Sequence, residues 1–444
     1  MNRLLILFVL LTATSAFAQE NTLMLSRVID NSLSQDAEYN LMKQDRDAAI
    51  DKIDEALESF VPTVRASATM NSADKSRDDF KDIPLYKIPS AKVRLSQILF
   101  SDSKLAAMST NENRAKAQRL VAEVLRTDII SDSTKRYCSV IRYRNLLDAY
   151  AEANRQYSAA AAKFKIRNAY SLDDTAVRES LRSVLADMEL VTDIRNIDSY
   201  AFLPYSGIFA TRLNDELMLL FTTEGVNIDT LVSKFSDKAL SSSPRLMALD
   251  EFIKINRRDI LSAQRKFTVP DVSVSGEYTR YFEGQDTDTE YFKTMDENQW
   301  NMSLKLSIPL FDGTKKQNEL SEKQSELLTY FNRKAQVKEV VKENIAAAID
   351  KAVLAGHDYV LKKEALEKAE EKFKDLTALR KYSERKNLIT QHFYARQKYI
   401  EAEYTFMISM LEVQRAYGKF FFYNADDSDK RFMDDLLAEF SISR

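Results

Sequence analysis

The sequence has very few of the residues that break helices or build catalytic and metal sites. Its 444 residues include only 7 glycines and 7 prolines, far below the roughly 7% and 5% of an average protein. This shortage excludes a loop-rich all-β fold and favours long uninterrupted helices. A single cysteine, Cys138, excludes a disulfide framework. Two histidines, His357 and His392, leave little material for a histidine-based metal or catalytic site.

An excess of charge of one sign is also missing. The chain carries 64 Lys and Arg against 67 Asp and Glu, with no basic block, so it lacks the electrostatic footprint of a nucleic-acid-binding protein. The sequence contains no phosphate-binding loop, dinucleotide glycine motif or nucleophile elbow. We therefore expect no enzyme activity, no cofactor, no metal site and no nucleic-acid partner.

The N-terminus has the pattern of an export signal. Arg3 precedes the apolar run 4–11, which is too short to span a bilayer, and the Ala-Phe-Ala of 16–18 fits a cleavage site. We expect residues 1–18 to be a signal peptide and no lipoprotein anchor to follow. The remaining sequence has no run of about 20 apolar residues. Any part that enters a membrane is therefore expected to do so as strands.

The chain contains an internal duplication. Residues 93–104 (VRLSQILFSDSK) match 304–315 (LKLSIPLFDGTK) conservatively, and the VPTV of 61–64 matches the VPDV of 269–272 at nearly the same separation. Each half also has two segments in which apolar and polar residues alternate. Period-two alternation predicts strands with one apolar and one polar face. These segments are about 61–72, 90–100, 269–282 and 299–311, and polar loops at 73–87 and 283–299 join them in pairs.

The apolar side of these four strands is predicted to face lipid, because a tilted strand of about 10 residues spans the hydrocarbon layer. The polar side, which carries Ser, Lys, Arg and Asn, would face water. The alternative is a pair of hairpins that lie on a soluble helical domain. The predicted lipid-facing residues are Val64, Ala66, Val93, Leu95, Val272, Val274, Trp300, Leu304 and Leu306.

The rest of the chain is predicted to be helical. Residues 103–163 and 314–354 contain no glycine or proline, and about 60 residues of helix extend roughly 90 Å. Helices of this length need helix-on-helix packing along most of their length. Between the two halves, shorter helical patterns and several glycines and prolines indicate a separate side segment. The predicted organisation is a signal peptide (1–18), a first repeat (19–203), the side segment (204–245), a second repeat (246–423) and a tail that joins the side segment (424–444).

This arrangement resembles the TolC-like outer membrane efflux protein family. The resemblance depends on the order of helix, strand pair and two helices, given twice, and on Ala416-Tyr417-Gly418 at the end of the last long helix. Its most specific part is the strand-to-helix corner IPLFDG, with Pro309, Phe311, Asp312 and Gly313. The resemblance implies a mainly α fold with β strands. Coiled-coil hairpins would form a long periplasmic barrel, and each of three subunits would give four strands to one twelve-stranded transmembrane barrel.

The function that the resemblance implies is a homotrimeric channel in outer membrane lipid, with most of its mass in the periplasm. It would give passive passage to substrates that an inner-membrane pump or ABC transporter delivers through a periplasmic adaptor protein. If the strands enter the membrane, their physics also requires assembly, because about eight strands are needed to close a barrel and an open edge in lipid leaves backbone groups unpaired. The alternative is a soluble periplasmic coiled-coil scaffold or adaptor rod.

Adaptor docking is expected at the helix-to-helix turns, near 164–174 and 382–394. The family usually has a glycine in such a turn, whereas this chain has arginines near both places. In the best-known member of the family, acidic residues follow the second turn, whereas Gln391 and Tyr394 stand at those positions here, so we expect no carboxylate ring and no cation block. The alternative for these two residues is an ordinary helix face. The carboxylates of the first turn would either line the entrance or cap a helix. The candidates for the periplasmic entrance and adaptor docking are Arg167, Asp173, Asp174, Arg385, Gln391 and Tyr394.

Overall fold

The computed structural model describes most of the chain, namely residues 22–69, 90–266, 268–282, 298–309, 314–440 and 442. The predicted signal peptide, nearly all of both polar loops, and the corner residues Phe311, Asp312 and Gly313 lie outside the described residues. The chain forms two compact units. The first, called the strand unit below, comprises 43–119 and 248–334, and the second, called the helical unit, comprises the residues up to 42, 120–247 and 335–444.

Helices dominate the described residues, and the predicted mainly α fold with antiparallel strands is confirmed. The helices are α1 (Leu25–Gln35), α2 (Ala37–Glu58), α3 (Asp102–Lys163), α4 (Thr175–Thr192), α5 (Tyr205–Ile208), α6 (Arg212–Thr222), α7 (Ile228–Ser242), α8 (Pro244–Arg265), α9 (Lys315–Phe373), α10 (Tyr382–Tyr417) and α11 (Asp427–Glu439). The strands are β1 (Thr22–Leu23), β2 (Thr63–Thr69), β3 (Ser90–Phe100), β4 (Ala201–Phe202), β5 (Asp271–Tyr281) and β6 (Asn298–Ser307). Within these ranges, no helix is long and apolar enough to cross a membrane.

In the strand unit, the two hairpins predicted from the duplication join into one sheet. The strand order is β2-β3-β5-β6, and every neighbouring pair is antiparallel. The central pair is β3 with β5, so the hairpin of the first half and the hairpin of the second half meet strand to strand. One register shift interrupts this pairing between Ile98 and Phe100. A bulge of this kind bends a strand and increases its twist.

The long helices follow from the shortage of helix breakers. Helix α3 has 62 residues and α9 has 59, against a mean of about 11 to 12 for globular proteins. Helix α10 ends where the sequence predicts, at Gly418, whose φ of 92° lies in the left-handed region that glycine adopts without strain. The Gly418 N–H donates to the carbonyls of Gln414 and Arg415, and so satisfies acceptors at the open end of the helix.

The helical unit has a core rich in aromatic side chains. Tyr137, Phe221, Phe235 and Phe406 are completely buried in it. The Tyr137 hydroxyl donates to the carbonyl of Leu23 in β1 and accepts from the N–H of Leu203, directly after β4, so one side chain holds both segments of the small parallel sheet. Burial raises the pKa of Tyr137 to about 12. This hydroxyl is therefore a neutral, structural hydrogen-bonding group at any physiological pH.

The side segment approaches helix α9 at a glycine. A Cβ atom at Gly356 would lie 2.5 Å from the carbonyl oxygen of Phe221, near the end of α6, and 3.1 Å from the Phe406 ring. Real Cβ atoms do not come so close to a backbone oxygen, so only glycine fits at this point. The tail packs against the side segment as well, because the Phe432 ring of α11 lies 5.1 Å from the Phe235 ring of α7.

A buried carboxylate fixes the start of the tail helix. Asp429 in α11 is fully buried and accepts from the Tyr417 hydroxyl at 2.7 Å and from the Lys419 ammonium at 3.0 Å. The same ammonium contacts Asp426 at 2.6 Å, and Asp426 with Asp429 forms a capping box at the N-terminus of α11. The end of α10 and the beginning of α11 are therefore held by one charged cluster, called the tail cluster below.

Candidate functional site

The four-stranded sheet has two chemically different faces. The pairing register places Ala66, Val93, Tyr278 and Trp300 side by side on one face. Every predicted lipid-facing residue lies on this apolar face, and the same register shows that no strand is turned over relative to its neighbours. Its side chains are unusually exposed for their type: Trp300 is 78% exposed and Met302 81%. An exposed apolar face of this size indicates a surface that another apolar phase covers.

The other face of the sheet is mostly polar, although Ile98 lies on it in register with Ser273. One row consists of Thr63, Ser96, Ser275 and Ser303. Hydroxyl groups meet across the strands, with Thr63 2.8 Å from Ser96 and Ser275 2.8 Å from Ser303. The neighbouring rows carry Arg, Lys, Glu and Asn side chains. This face is suited to contact with water.

Both edges of the sheet are open. Among the described residues, β2 pairs only with β3, and β6 pairs only with β5. Each outer edge therefore presents backbone N–H and C=O groups to whatever lies beside it. Such an edge pairs readily with another strand, and in a lipid environment it costs several kcal/mol for each unpaired group.

The predicted strand-to-helix corner is only partly visible. Pro309 follows β6 as an exposed residue outside the sheet, which fits the inability of proline to donate a hydrogen bond to a strand ladder. Phe311, Asp312 and Gly313 lie outside the described residues, so their roles at this corner stay predictions.

The first helix-to-helix turn lies where it is predicted, between the end of α3 at Lys163 and the start of α4 at Thr175. The residue in the left-handed conformation is Lys165, with a φ of 53°. Arg167 is exposed and lies two residues further along. A lysine in this conformation costs roughly 1 kcal/mol relative to glycine. The turn is therefore made without glycine, at a residue that no sequence pattern marks.

The two carboxylates of the first turn are engaged in local contacts. Asp173 accepts from both the N–H and the hydroxyl of Thr175, at 3.0 and 2.6 Å, and these bonds hold its pKa below the usual range. Asp174 precedes α4 directly and makes a two-pronged contact with the Arg178 guanidinium, which lowers the pKa of Asp174. Asp174 occupies the N-cap position without a side-chain cap hydrogen bond, whereas Asp173 closes the local turn that leads into the helix. The Asp173 carboxylate remains exposed to solvent.

The second turn differs from the prediction. It comprises 374–381, with a short 3₁₀ helix at Lys374–Thr377, and the segment 382–394 forms the first turns of α10 instead. Arg385 is buried, with 6% of its surface exposed. Its Nε donates to the carbonyl of Leu379 at 3.0 Å, and its guanidinium lies 5.2 Å above the Phe164 ring. Arg385 therefore packs inside the turn rather than at its surface, and its part in docking stays a prediction.

Gln391 and Tyr394 are exposed on α10, whereas Phe393 between them is buried. The Phe393 ring meets the edge of Tyr150 in α3 at 4.7 Å. His392, next to it, stacks on Phe373 at 4.3 Å, and burial lowers the pKa of its imidazole. Helical periodicity explains this division, because one side of α10 packs inward while Gln391 and Tyr394 point to solvent.

Aromatic and cationic side chains that the sequence did not single out join the two turns. The Lys386 ammonium lies 3.9 Å above the Tyr170 ring, and Tyr170 meets Tyr157 edge-on at 5.0 Å. The Tyr382 hydroxyl accepts from the Tyr170 N–H, and the Tyr157 hydroxyl bonds to Thr390 at 2.8 Å. The one signal in the sequence that could have predicted these contacts was the presence of paired aromatic residues at both predicted turns. These contacts place the two turns at the same end of the helical unit.

Solved structures with this architecture are known. CmeC, an outer membrane channel of Campylobacter jejuni, has 13% sequence identity, covers 93% of this chain and 89% of its own length, and gives a TM-score of 0.60. CusC matches with 12% identity, 89% and 92% coverage and a TM-score of 0.59. MtrE of Neisseria gonorrhoeae, an outer membrane channel solved in its open state, matches with 12% identity, 89% coverage of both chains and a TM-score of 0.58.

The chain has the fold of the TolC-like outer membrane channels. This confirms, at the level of the fold, the resemblance that the duplicated strand pairs and long helices indicate. No protein-family model and no curated protein matches the sequence. The likeness to these channels therefore lies in the architecture, and the sequence identity to them is only 12–13%.

Proposed function

We propose that this protein is an outer membrane channel that gives solutes passive passage from the periplasm to the exterior. The observation that carries the proposal is the four-stranded sheet, with an exposed apolar face, an opposite polar face and two open edges. The shared fold with CmeC and MtrE, which are outer membrane channels, supports the same conclusion. In this proposal the apolar face meets lipid and the polar face lines an aqueous passage.

The working unit is a homotrimer. Because the strands alternate in direction from β2 to β6, β6 of one subunit runs antiparallel to β2 of the next and continues the same hydrogen-bond pattern. Three copies then give twelve strands, which is enough to close a barrel, whereas four are too few. Closure removes both open edges, and with them the cost of unpaired backbone groups in lipid.

Transport through such a passage takes its energy and its cargo from partner proteins. We place most of the mass in the periplasm and the contact with a periplasmic adaptor protein at the end formed by the two turns. The adaptor would connect this end to an inner-membrane pump or ABC transporter. Exposed residues at this end, Arg167, Asp173, Gln391 and Tyr394, are the docking candidates, and Asp174 contributes its Arg178 pair to the same surface.

Membrane fractionation tests the location and the assembly together. We expect the protein in the outer membrane fraction, extractable only with detergent, as a trimer that dissociates on heating. The variant Val274→Asp should impair insertion, because a charged side chain on the lipid face is destabilising near the bilayer midplane, although a carboxylate costs less there than the about 2–4 kcal/mol of Arg or Lys. Ser275→Asp, on the next residue but the opposite face, is the matched control and should insert. Recovery of the wild type as a monomer in the soluble periplasmic fraction would instead favour the periplasmic scaffold.

Site-specific photo-crosslinking tests the docking surface. A photoreactive residue at Tyr394 or Arg167 should capture an adaptor protein in intact cells. The control position is Leu190, which is 82% exposed on α4 and is not assigned to docking. Equal capture from all three positions would contradict the assignment of docking to the turns, without affecting the proposed channel.

A further inference from the structure

The polar face of the sheet carries more positive than negative charge. Its basic side chains come from three of the four strands, and its carboxylates come from one. The basic residues are Arg65 in β2, Lys92 and Arg94 in β3, and Lys305 in β6, and the carboxylates are Asp271 and Glu277 in β5. Asp271 is the first residue of its strand, so only Glu277 stands among the basic residues in the middle of the face.

The register brings like charges together. Arg65 pairs directly with Arg94 across β2 and β3, an arrangement that is unfavourable unless another group screens the two charges. Glu277 lies opposite Arg94 on the other side, but the Lys92 ammonium contacts its carboxylate at 3.3 Å. No described residue forms an ion pair with Arg65, Arg94 or Lys305. These three cations therefore depend on water and mobile anions for their screening.

We propose that these cations form a positive belt around the passage and make the channel favour anionic solutes. This inference rests on the proposed function, because only a closed trimer turns one row of the sheet into a ring. Three subunits would place six guanidinium groups, from Arg65 and Arg94, and three carboxylates, from Glu277, at a single level of the lumen, which leaves a net of three positive charges. Low-dielectric barrel walls concentrate the field of such a ring on the passage and raise the local concentration of counter-ions. The chemical class of cargo that fits this belt is small anionic molecules.

The sheet supplies its own control residue. Arg280 in β5 has the same charge, but it lies on the apolar face, in register with Ala91 and Asn298. Its guanidinium lies 5.5 Å above the ring of Phe282. Removal of this charge changes the total charge of the protein as much as removal of Arg94 does. Only the charge on the polar face should affect ions in the passage.

The experiment measures ion selectivity of the purified full-length trimer in planar lipid bilayers. Reversal potentials in a KCl gradient give the permeability ratio of chloride to potassium. At about 0.1 M salt, this net of three positive charges, acting across roughly 10 Å of aqueous lumen, changes the local concentration of a monovalent ion about twofold. We expect the wild type to favour chloride and the double variant Arg65→Gln, Arg94→Gln to lower the ratio by about twofold or more. The variant Arg280→Gln should keep the wild-type ratio.

The possible outcomes separate this inference from the proposed function. If the trimers conduct but the double variant keeps the wild-type ratio, or if Arg280→Gln changes it equally, the positive belt does not set selectivity and the inference is wrong. If the wild-type trimer forms no conducting pore, the proposed channel itself fails. If the double variant does not assemble, Lys305→Gln tests the same inference. This single exposed change in β6 should also lower the permeability ratio of chloride to potassium.

Discussion

Replacement of Gly356 by alanine tests how the side segment is attached to helix α9. In the interior of a helix, alanine is ordinarily more favourable than glycine by about 1 kcal/mol. Here the added Cβ would lie 2.5 Å from the Phe221 carbonyl oxygen and 3.1 Å from the Phe406 ring. The neighbour is a backbone atom near the end of α6, which cannot rotate away as a flexible side chain can.

The expected magnitude follows from these two opposing effects. Overpacking of a tight core by one carbon costs about 1–3 kcal/mol, and the gain in helix propensity offsets about 1 kcal/mol of that. Because the contact is with backbone, we expect the cost to lie at the upper end. The net result for Gly356→Ala is a destabilisation of about 1–2 kcal/mol, seen as a lower melting temperature.

Thermal unfolding of the detergent-solubilised protein, followed by far-ultraviolet circular dichroism, measures this difference. Gly207→Ala in α5 is the matched control, because a Cβ there would meet Leu203 at an ordinary 3.6 Å. The control should melt at the wild-type temperature or slightly above. If Gly356→Ala is as stable as Gly207→Ala, the close approach of α6 to α9 does not exist, and the reasoning about this glycine is refuted.

Two further predictions concern charged residues of the helical unit. The Lys419 ammonium holds the pKa of Asp426 below its usual range, so Asp426→Asn should lower the melting temperature at pH 7. That difference should begin to shrink as the pH falls to about 4, where the unfolded carboxylate starts to take up its proton, and should be lost only at a lower pH, where the folded carboxylate is protonated as well. Asp427→Asn, in an exposed pair, should have little effect at any pH, and an equal effect would contradict the tail cluster. Arg385→Met should destabilise the protein because Arg385 is buried, whereas the exposed Arg167→Met should not, and equal melting temperatures would show that the contact of Arg385 with Phe164 is unimportant.

The alternation of apolar and polar residues was sufficient to predict the four strands and the two faces of the sheet. Val64, Val93 and Trp300 alternate with polar residues, and each strand has only two possible orientations of its side chains. One assignment of apolar and polar sides therefore fixed all four strands, and the pairing register agrees with it. The long helices were predictable for a similar reason, since a segment without glycine or proline has nothing to interrupt it.

The details of the turns could not be predicted, because they depend on contacts between distant parts of the chain. The segment 374–381 contains neither glycine nor proline, so nothing local marks where α9 ends. Arg385 is buried through its contact with Phe164, which belongs to the other half of the duplication. A charged residue is expected at the surface unless it is paired, and no sequence pattern showed this partner. The left-handed Lys165 is equally unmarked.

The two units differ in where their stability must come from. The helical unit buries its own aromatic core and satisfies a carboxylate as deeply buried as Asp429 with contacts from the same chain. The four-stranded sheet does the opposite, since it leaves Trp300 and Met302 exposed and leaves both edges open among the described residues. In the proposed channel, lipid and neighbouring subunits would complete it. Substitutions at Gly356 should accordingly change the melting temperature of the helical unit, whereas Val274→Asp should change membrane insertion and the yield of trimer. The two effects are expected to be separate only if lipid and neighbouring subunits complete the sheet.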